Sequence, residues 1–177
     1  ASGKYSYAAG IGGGGYAASG KDISITNSYV IVTGNKTAAA IGGGRASSGE
    51  NISIQGSIVR ANTVKSKKPF IGGGDDGESI NITKENSIIF EGNEGTVYGE
   101  AVLFEELLGE SIEVEIGADD TLTAPEHTSL LLSGRLTNNG VLSIYNESCL
   151  SGEGTLSGSG EFILEHACFT ADDIIVP

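Results

Sequence analysis

Along the first ninety or so residues, apolar and polar positions alternate in short bursts separated by glycine. In GKDISIT (Gly20–Thr26), GENISIQ (Gly49–Gln55) and GESINIT (Gly77–Thr83), the pairs Ile23/Ile25, Ile52/Ile54 and Ile80/Ile82 alternate with small or polar residues. A fourth, degenerate copy, GESIEVEIGADDTLTA from Gly109, keeps the alternation at Ile112/Val114. Period two marks a strand with one buried face. Between these bursts stands IGGG, at Ile11–Gly14, Ile41–Gly44 and Ile71–Gly74, at a constant interval of 30 residues.

Each repeat therefore predicts two short strands and the approach to a third, AAAI (Ala38–Ile41) or KPFI (Lys68–Ile71). No helical stretch separates them, which excludes a βαβ unit. Three strands in a repeat of this length predict an all-β parallel β-helix, a right-handed solenoid with three strands per coil. Like residues would then stack about 4.8 Å apart on successive coils. IGGG becomes a corner, with Ile inward and glycines that permit positive φ and close backbone approach. A phosphate-cradling role is weaker, because no Lys-Ser/Thr follows and no helix is predicted.

After about residue 118 the rhythm shortens. Leu130, Leu136, Leu142, Leu156 and Phe162 follow a spacing of about six, with Leu150 displaced from it. The expected organisation is coils of about 30 residues over 1–117, followed by a shorter-coil continuation or cap over 118–177. Cys149 and Cys168 are 19 residues apart, roughly three short strands, which places them as neighbours on consecutive coils. Whether they are bridged stays open.

The second strand of each repeat carries more apolar residues than one buried face needs. Counted from Ser28, Ser57 and Ser87, the inward residues are Val30, Val59 and Ile89. The flanking positions then point outward: Tyr29, Ile58 and Ile88 in one file, and Ile31, Arg60 and Phe90 in the other. A contiguous exposed apolar strip marks a binding surface, with Tyr29 and Phe90 as aromatic anchors and Arg60 for an acidic group. The competing reading is that another segment, such as Phe104–Leu108, covers the strip.

Composition narrows the class. The 28 glycines lack a collagen period, Pro is only 3, and 38% apolar residues suffice for a folded, turn-rich β protein. A net charge of −13 excludes nucleic acid as a natural partner. The basic cluster Lys65, Lys67 and Lys68 reads as a solvated loop. No stretch approaches the ~20 apolar residues that span a bilayer. The chain contains no Met, which points to a processed mature chain or an excised piece of a larger modular protein with flanking domains.

Candidate chemistry is sparse. Acidic pairs stand at Asp75-Asp76, Asp119-Asp120 and Asp172-Asp173, while His127 and His166 lie elsewhere in the chain. Carboxylate catalysis on a polysaccharide needs stacked acids beside a base, and no such grouping is visible, so no catalytic residue is assigned. Calcium is the one cofactor the sequence admits: Asp75, Asp76 and Glu78 offer hard oxygens on a Gly-rich turn. The matching turns, GGGRASSGEN and GGGGYAASGKD, carry no such ligands.

The segments AAAIGGG (Ala38–Gly44) and GENISIQGSIVRA (Gly49–Ala61) resemble repeats of bacterial secreted and cell-surface β-helix proteins, of the adhesin-like or carbohydrate-binding kind. The tail segments LTNNGVLSI and GEGTLSGSGEF are similar to coils of the same proteins. The resemblance implies an extracellular location, secreted or surface-attached, and a non-enzymatic role in adhesion or carbohydrate binding. Its partners would be a polysaccharide or a host or cell-surface glycoprotein. It supplies no binding residue. A structural stalk or spacer is the alternative, and polysaccharide cleavage by a lyase or hydrolase the third reading.

Overall fold

If the repeats stack, residues one repeat apart must face each other on parallel strands. In the computed structural model, which describes residues 7–64 and 69–170, they do. All regular structure among these residues is β, in mostly parallel sheets, and no helix is present. Two units make up the chain. One comprises Ala1–Thr26, Val30–Gln55 and Val59–Lys84, and the other Asn27–Tyr29, Gly56–Ile58 and Glu85–Pro177. The boundary expected at 117/118 lies inside the second unit.

The first unit is built on β1 (Ile11–Gly12), β2 (Gly20–Thr26), β3 (Tyr29–Gly34), β4 (Ile41–Gly42), β5 (Gly49–Gln55), β6 (Ile58–Thr63), β7 (Ile71–Gly72) and β8 (Ser79–Glu85). Its sheets run β1-β4-β7 and β2-β5-β8, with β3 beside β6. Ile11, Ile41 and Ile71 align, as do Gly12, Gly42 and Gly72. Ile23 faces Ile52, and Ile25 faces Ile54. Ile41, Ile52, Ile54 and Val59 are fully buried, so the alternating apolar positions do form a core.

The glycine turn works through backbone geometry. Gly42 has φ 130°, and a Cβ there would lie 2.0 Å from the Gly72 carbonyl oxygen one coil on. No other residue type fits that approach. A second kind of corner uses left-handed non-glycine residues. Asp22, Asn51 and Asn81 have φ of 54°, 54° and 53°. Their side chains form a hydrogen-bonded ladder, Asn81 Nδ2 donating to Asn51 Oδ1 (3.0 Å) and Asn51 Nδ2 to Asp22 Oδ1 (2.9 Å). Asp and Asn tolerate this conformation better than most residues.

That ladder corrects the alignment of the third repeat. Asn81 pairs with Asn51, so Ile82 takes the place of Ile52, while Ile80 falls beside Glu50 and is 38% exposed. Ser79, not Gly77, occupies the position of Gly49, and its Oγ accepts from the Gly73 N–H (3.0 Å).

The second unit contains β9 (Ser87–Glu91), β10 (Glu94–Tyr98), β11 (Glu100–Leu103), β12 (Glu106–Leu107), β13 (Glu110–Ser111), β14 (Glu113–Ile116), β15 (Thr121–Ala124), β16 (Ser129–Leu132), β17 (Arg135–Asn138), β18 (Val141–Ile144), β19 (Cys149–Ser151), β20 (Thr155–Ser157), β21 (Glu161–Leu164) and β22 (Cys168–Thr170). Two hairpins interrupt the parallel rule, both absent from the sequence-based expectation. β9 and β10 pair antiparallel across Gly92-Asn93, with Gly92 at φ 66°. β12 and β13 pair antiparallel across Leu108-Gly109, both at positive φ (54° and 83°). Two left-handed central residues fit a type I′ turn, whose twist matches the strands it joins.

The remaining strands stack with a period of 20. Leu122 faces Leu142, which faces Phe162; Leu130 faces Leu150, and Leu136 faces Leu156. The displacement of Leu150 is thereby explained, because it keeps register with Leu130 rather than with a six-residue rhythm. Cys149 and Cys168 are in register on β19 and β22, as the spacing predicted.

The core of this unit joins Ile58, Ile88 and Phe90 to Val97, Leu103, Ile116, Leu122, Leu130, Leu136 and Leu142. Main-chain order at the Ser28/Ser57/Ser87 file is set by side chains. Ser28 N–H donates to Ser57 Oγ (3.1 Å) and Ser57 N–H to Ser87 Oγ (3.0 Å). Ser57 and Ser87 are buried, and these bonds offset the cost of burying their hydroxyls. Among the described residues no helix is long and apolar enough to cross a membrane.

Candidate binding groove

The expected outward strip is mostly core. Ile58, Ile88 and Phe90 are 1%, 0% and 1% exposed, and Tyr29 is half-buried against the same cluster. Ile89 and Val59 are buried as well, so β6 and β9 are apolar on both faces because both faces are covered. Phe104 and Leu107, from the stretch named as a possible cover, pack against this core. Of the six strip residues only Ile31 is well exposed, at 64%, with Arg60 intermediate. Residues that exclude water this completely present no face to a ligand.

The calcium candidates do not converge. Asp76 and Glu78 are exposed and Asp75 is half-buried on the turn before β8. The carbonyl oxygens of Asp75 and Glu78 accept from the N–H groups of Ala46 and Gly49, which occupies oxygens a cation would need. Among the described residues no three His, Cys, Asp or Glu groups are placed to hold a metal. Asp120 caps its own turn, accepting from the Gly117 N–H (3.3 Å). Asp172-Asp173 and Lys65, Lys67 and Lys68 lie outside the described residues.

A different place gathers polar groups. The hairpin of β12 and β13, the corner between β16 and β17, and the corner between β19 and β20 enclose a partly open groove of about 740 Å³. The hairpin side contributes Glu105, Ser111 and Glu113, and the corners contribute Leu131, Ser133, Arg135, Glu153 and Thr155. The walls are fixed by main-chain bonds: Gly134 N–H to Leu103 O (2.9 Å), Thr155 N–H to Gly134 O (3.0 Å), and Ile112 N–H to Glu105 O (2.9 Å). Gly134 is required here, since a Cβ would meet the Phe104 carbonyl oxygen at 2.1 Å.

Parallel register organises the groove's chemistry. Glu113 faces Arg135, and Arg135 faces Thr155, so carboxylate, guanidinium and hydroxyl form one file across β14, β17 and β20. The adjacent file is Glu115, Thr137 and Ser157. Thr137 Oγ1 donates to Glu113 Oε1 (3.0 Å), and Ser157 Oγ lies 3.2 Å from Thr137 Oγ1. Because the Thr137 proton goes to the carboxylate, Ser157 is the donor of the second bond. This chain holds one Glu113 oxygen in place and leaves the other toward the groove's polar lining.

Three carboxylates, one guanidinium and three hydroxyl side chains give the lining both donors and acceptors without an apolar floor. Such a set suits a ligand rich in hydroxyl groups, which donate to carboxylates and accept from Arg. Sequence reasoning missed these residues because it followed a six-residue rhythm. Aligned at a period of 20, Glu113, Arg135 and Thr155 fall into one outward column. The chain matches no protein-family model, and no curated protein or solved structure shows significant similarity to it.

Proposed function

We propose that the chain is a right-handed parallel β-helix acting as a non-enzymatic extracellular module, which binds carbohydrate through the groove around Glu113, Arg135 and Thr155. Parallel pairing of strands one repeat apart, at intervals near 30 and then 20 residues, supports the solenoid. The resemblance of the glycine repeats to bacterial secreted and surface proteins supports the location and an adhesive role, with a polysaccharide or cell-surface glycoprotein as partner. The observation that carries the binding reading is the in-register file of carboxylate, guanidinium and hydroxyl on a rigid sheet. A site built on strands holds its groups in place before the ligand arrives, which lowers the ordering cost of binding.

A glycan array followed by titration calorimetry tests the reading. The wild type should bind a hydroxyl-rich glycan, and Arg135→Ala or Glu113→Gln should weaken it roughly 10- to 100-fold, as expected for lost hydrogen bonds to charged groups. Binding that survives both substitutions would move the site elsewhere. Absence of binding to every glycan would favour a stalk or spacer, and shortened glycan products would favour an enzyme.

A further inference from the structure

Cys149 and Cys168 face each other in register on β19 and β22, two neighbouring parallel strands. Both thiols are free, Cys149 half-buried and Cys168 exposed. Their strand neighbours Leu150 and Phe169 are also in register, so the two sulfur atoms leave their sheet on the same side. Adjacent strands bring paired Cα atoms to about 4.8 Å. That lies inside the 4.4–6.8 Å range a disulfide spans without backbone movement.

We propose that Cys149 and Cys168 form a dithiol modification site whose substrate is a low-molecular-weight disulfide. The Cys168 thiolate attacks one sulfur of the small disulfide and expels the other half as a thiolate. Cys149 then loses its proton to solvent, and its sulfur attacks Cys168 Sγ, expelling the second half. One small disulfide is reduced to two thiols, and the protein gains one cross-link between β19 and β22.

The order of attack follows from the environment. A hydrogen bond with Cys168, together with some desolvation, pushes the Cys149 thiol above its ordinary value. Cys149 therefore carries less thiolate at neutral pH and acts second, once Cys168 has become the mixed disulfide. The exposed sulfur takes the small molecule, and the less accessible one resolves it.

Equilibrating the reduced protein with glutathione disulfide tests this. Denatured thiol counts should fall from two to none, the mass should fall by two hydrogens with no glutathione retained, and peptide mapping should join Cys149 to Cys168. Cys149→Ser should instead trap a stable glutathione adduct on Cys168, and Cys168→Ser should react more slowly. The oxidised wild type should melt higher than the reduced form, with no such gain in either variant. Two retained thiols, adducts on both cysteines, or a cross-linked dimer would each overturn the proposal.

Discussion

Asn51 stands between two like partners: its Nδ2 donates to Asp22 and its Oδ1 accepts from Asn81, while its own backbone sits at φ 54°. One side chain thus links three successive corners and relieves a conformation most residues resist. Asn51→Ala loses both contributions and should lower stability by about 2 kcal/mol. Asn51→Gly keeps the backbone permissive and removes only the ladder, so it should cost about half as much. Urea denaturation of both variants measures the difference, and equal losses would show that the ladder contributes nothing beyond φ.

At Gly42 the obstacle is steric. With φ at 130° and the Gly72 oxygen 2.0 Å from any Cβ, Gly42→Ala should destabilise by about 2 kcal/mol or more. A melting temperature unchanged by this substitution would contradict the corner geometry.

Phe90 and Ile31 were expected on one exposed file and lie in opposite environments, 1% and 64% exposed. Phe90→Ala should cost about 3–5 kcal/mol through the cavity it leaves. Ile31→Ser should stay within about 0.5 kcal/mol of wild type. Chemical denaturation of the pair distinguishes a covered strip from an open one, since an open strip would make both changes mild.

Leu108 is the reverse case. It is 97% exposed at the hairpin tip and holds φ 54°, a conformation that penalises a branched apolar side chain and rewards none of its surface. Leu108→Asn should therefore stabilise the fold by about 1 kcal/mol, because type I′ turns favour Asn at that position. A lower melting temperature in the variant would mean that the exposed leucine makes a contact worth more than the strain.

The Lys21 ammonium, hydrogen-bonded to Glu50 at 2.8 Å, holds that carboxyl below its ordinary value of 4.5, and Glu50 lifts Lys21 above 10.5. The pair's contribution is present between these limits. It is lost as pH falls below 4.5 through the depressed Glu50 value, and as pH rises above 10.5 through the raised Lys21 value. Because the pair is exposed, Glu50→Gln should lower the melting temperature only slightly at neutral pH and low salt. The gap should close in acid and shrink in high salt, which thermal melts across pH and ionic strength would show.

The parallel stacking and glycine corners were legible because a local pattern, IGGG with alternating isoleucines, recurs at a fixed interval. Registers that depend on insertions were not. The third repeat carries Ser79 where its predecessors carry glycine, so counting from Gly77 put Ile80 in the wrong place. The strip was misassigned for a physical reason: alternation identifies one buried face, and nothing in β9 itself reveals that Phe104 and Leu107 return to cover the other. The groove was hidden by its chemistry, since Glu113, Arg135 and Thr155 are ordinary surface residues until a period of 20 aligns them.

That period also shapes how the second unit can grow. Leu130 meets Leu150, and Leu122 meets Leu142, each by closing the same short stretch of chain. The entropy of closing such a loop depends on the spacing between partners and not on total chain length. Duplicating one 20-residue segment would therefore add a layer with the same average sequence separation as those already present, without slowing the search for native pairs. Gene duplication in steps of one layer is consequently the least disruptive route by which this architecture lengthens, and insertion of any other length would have to leave the stack as a loop.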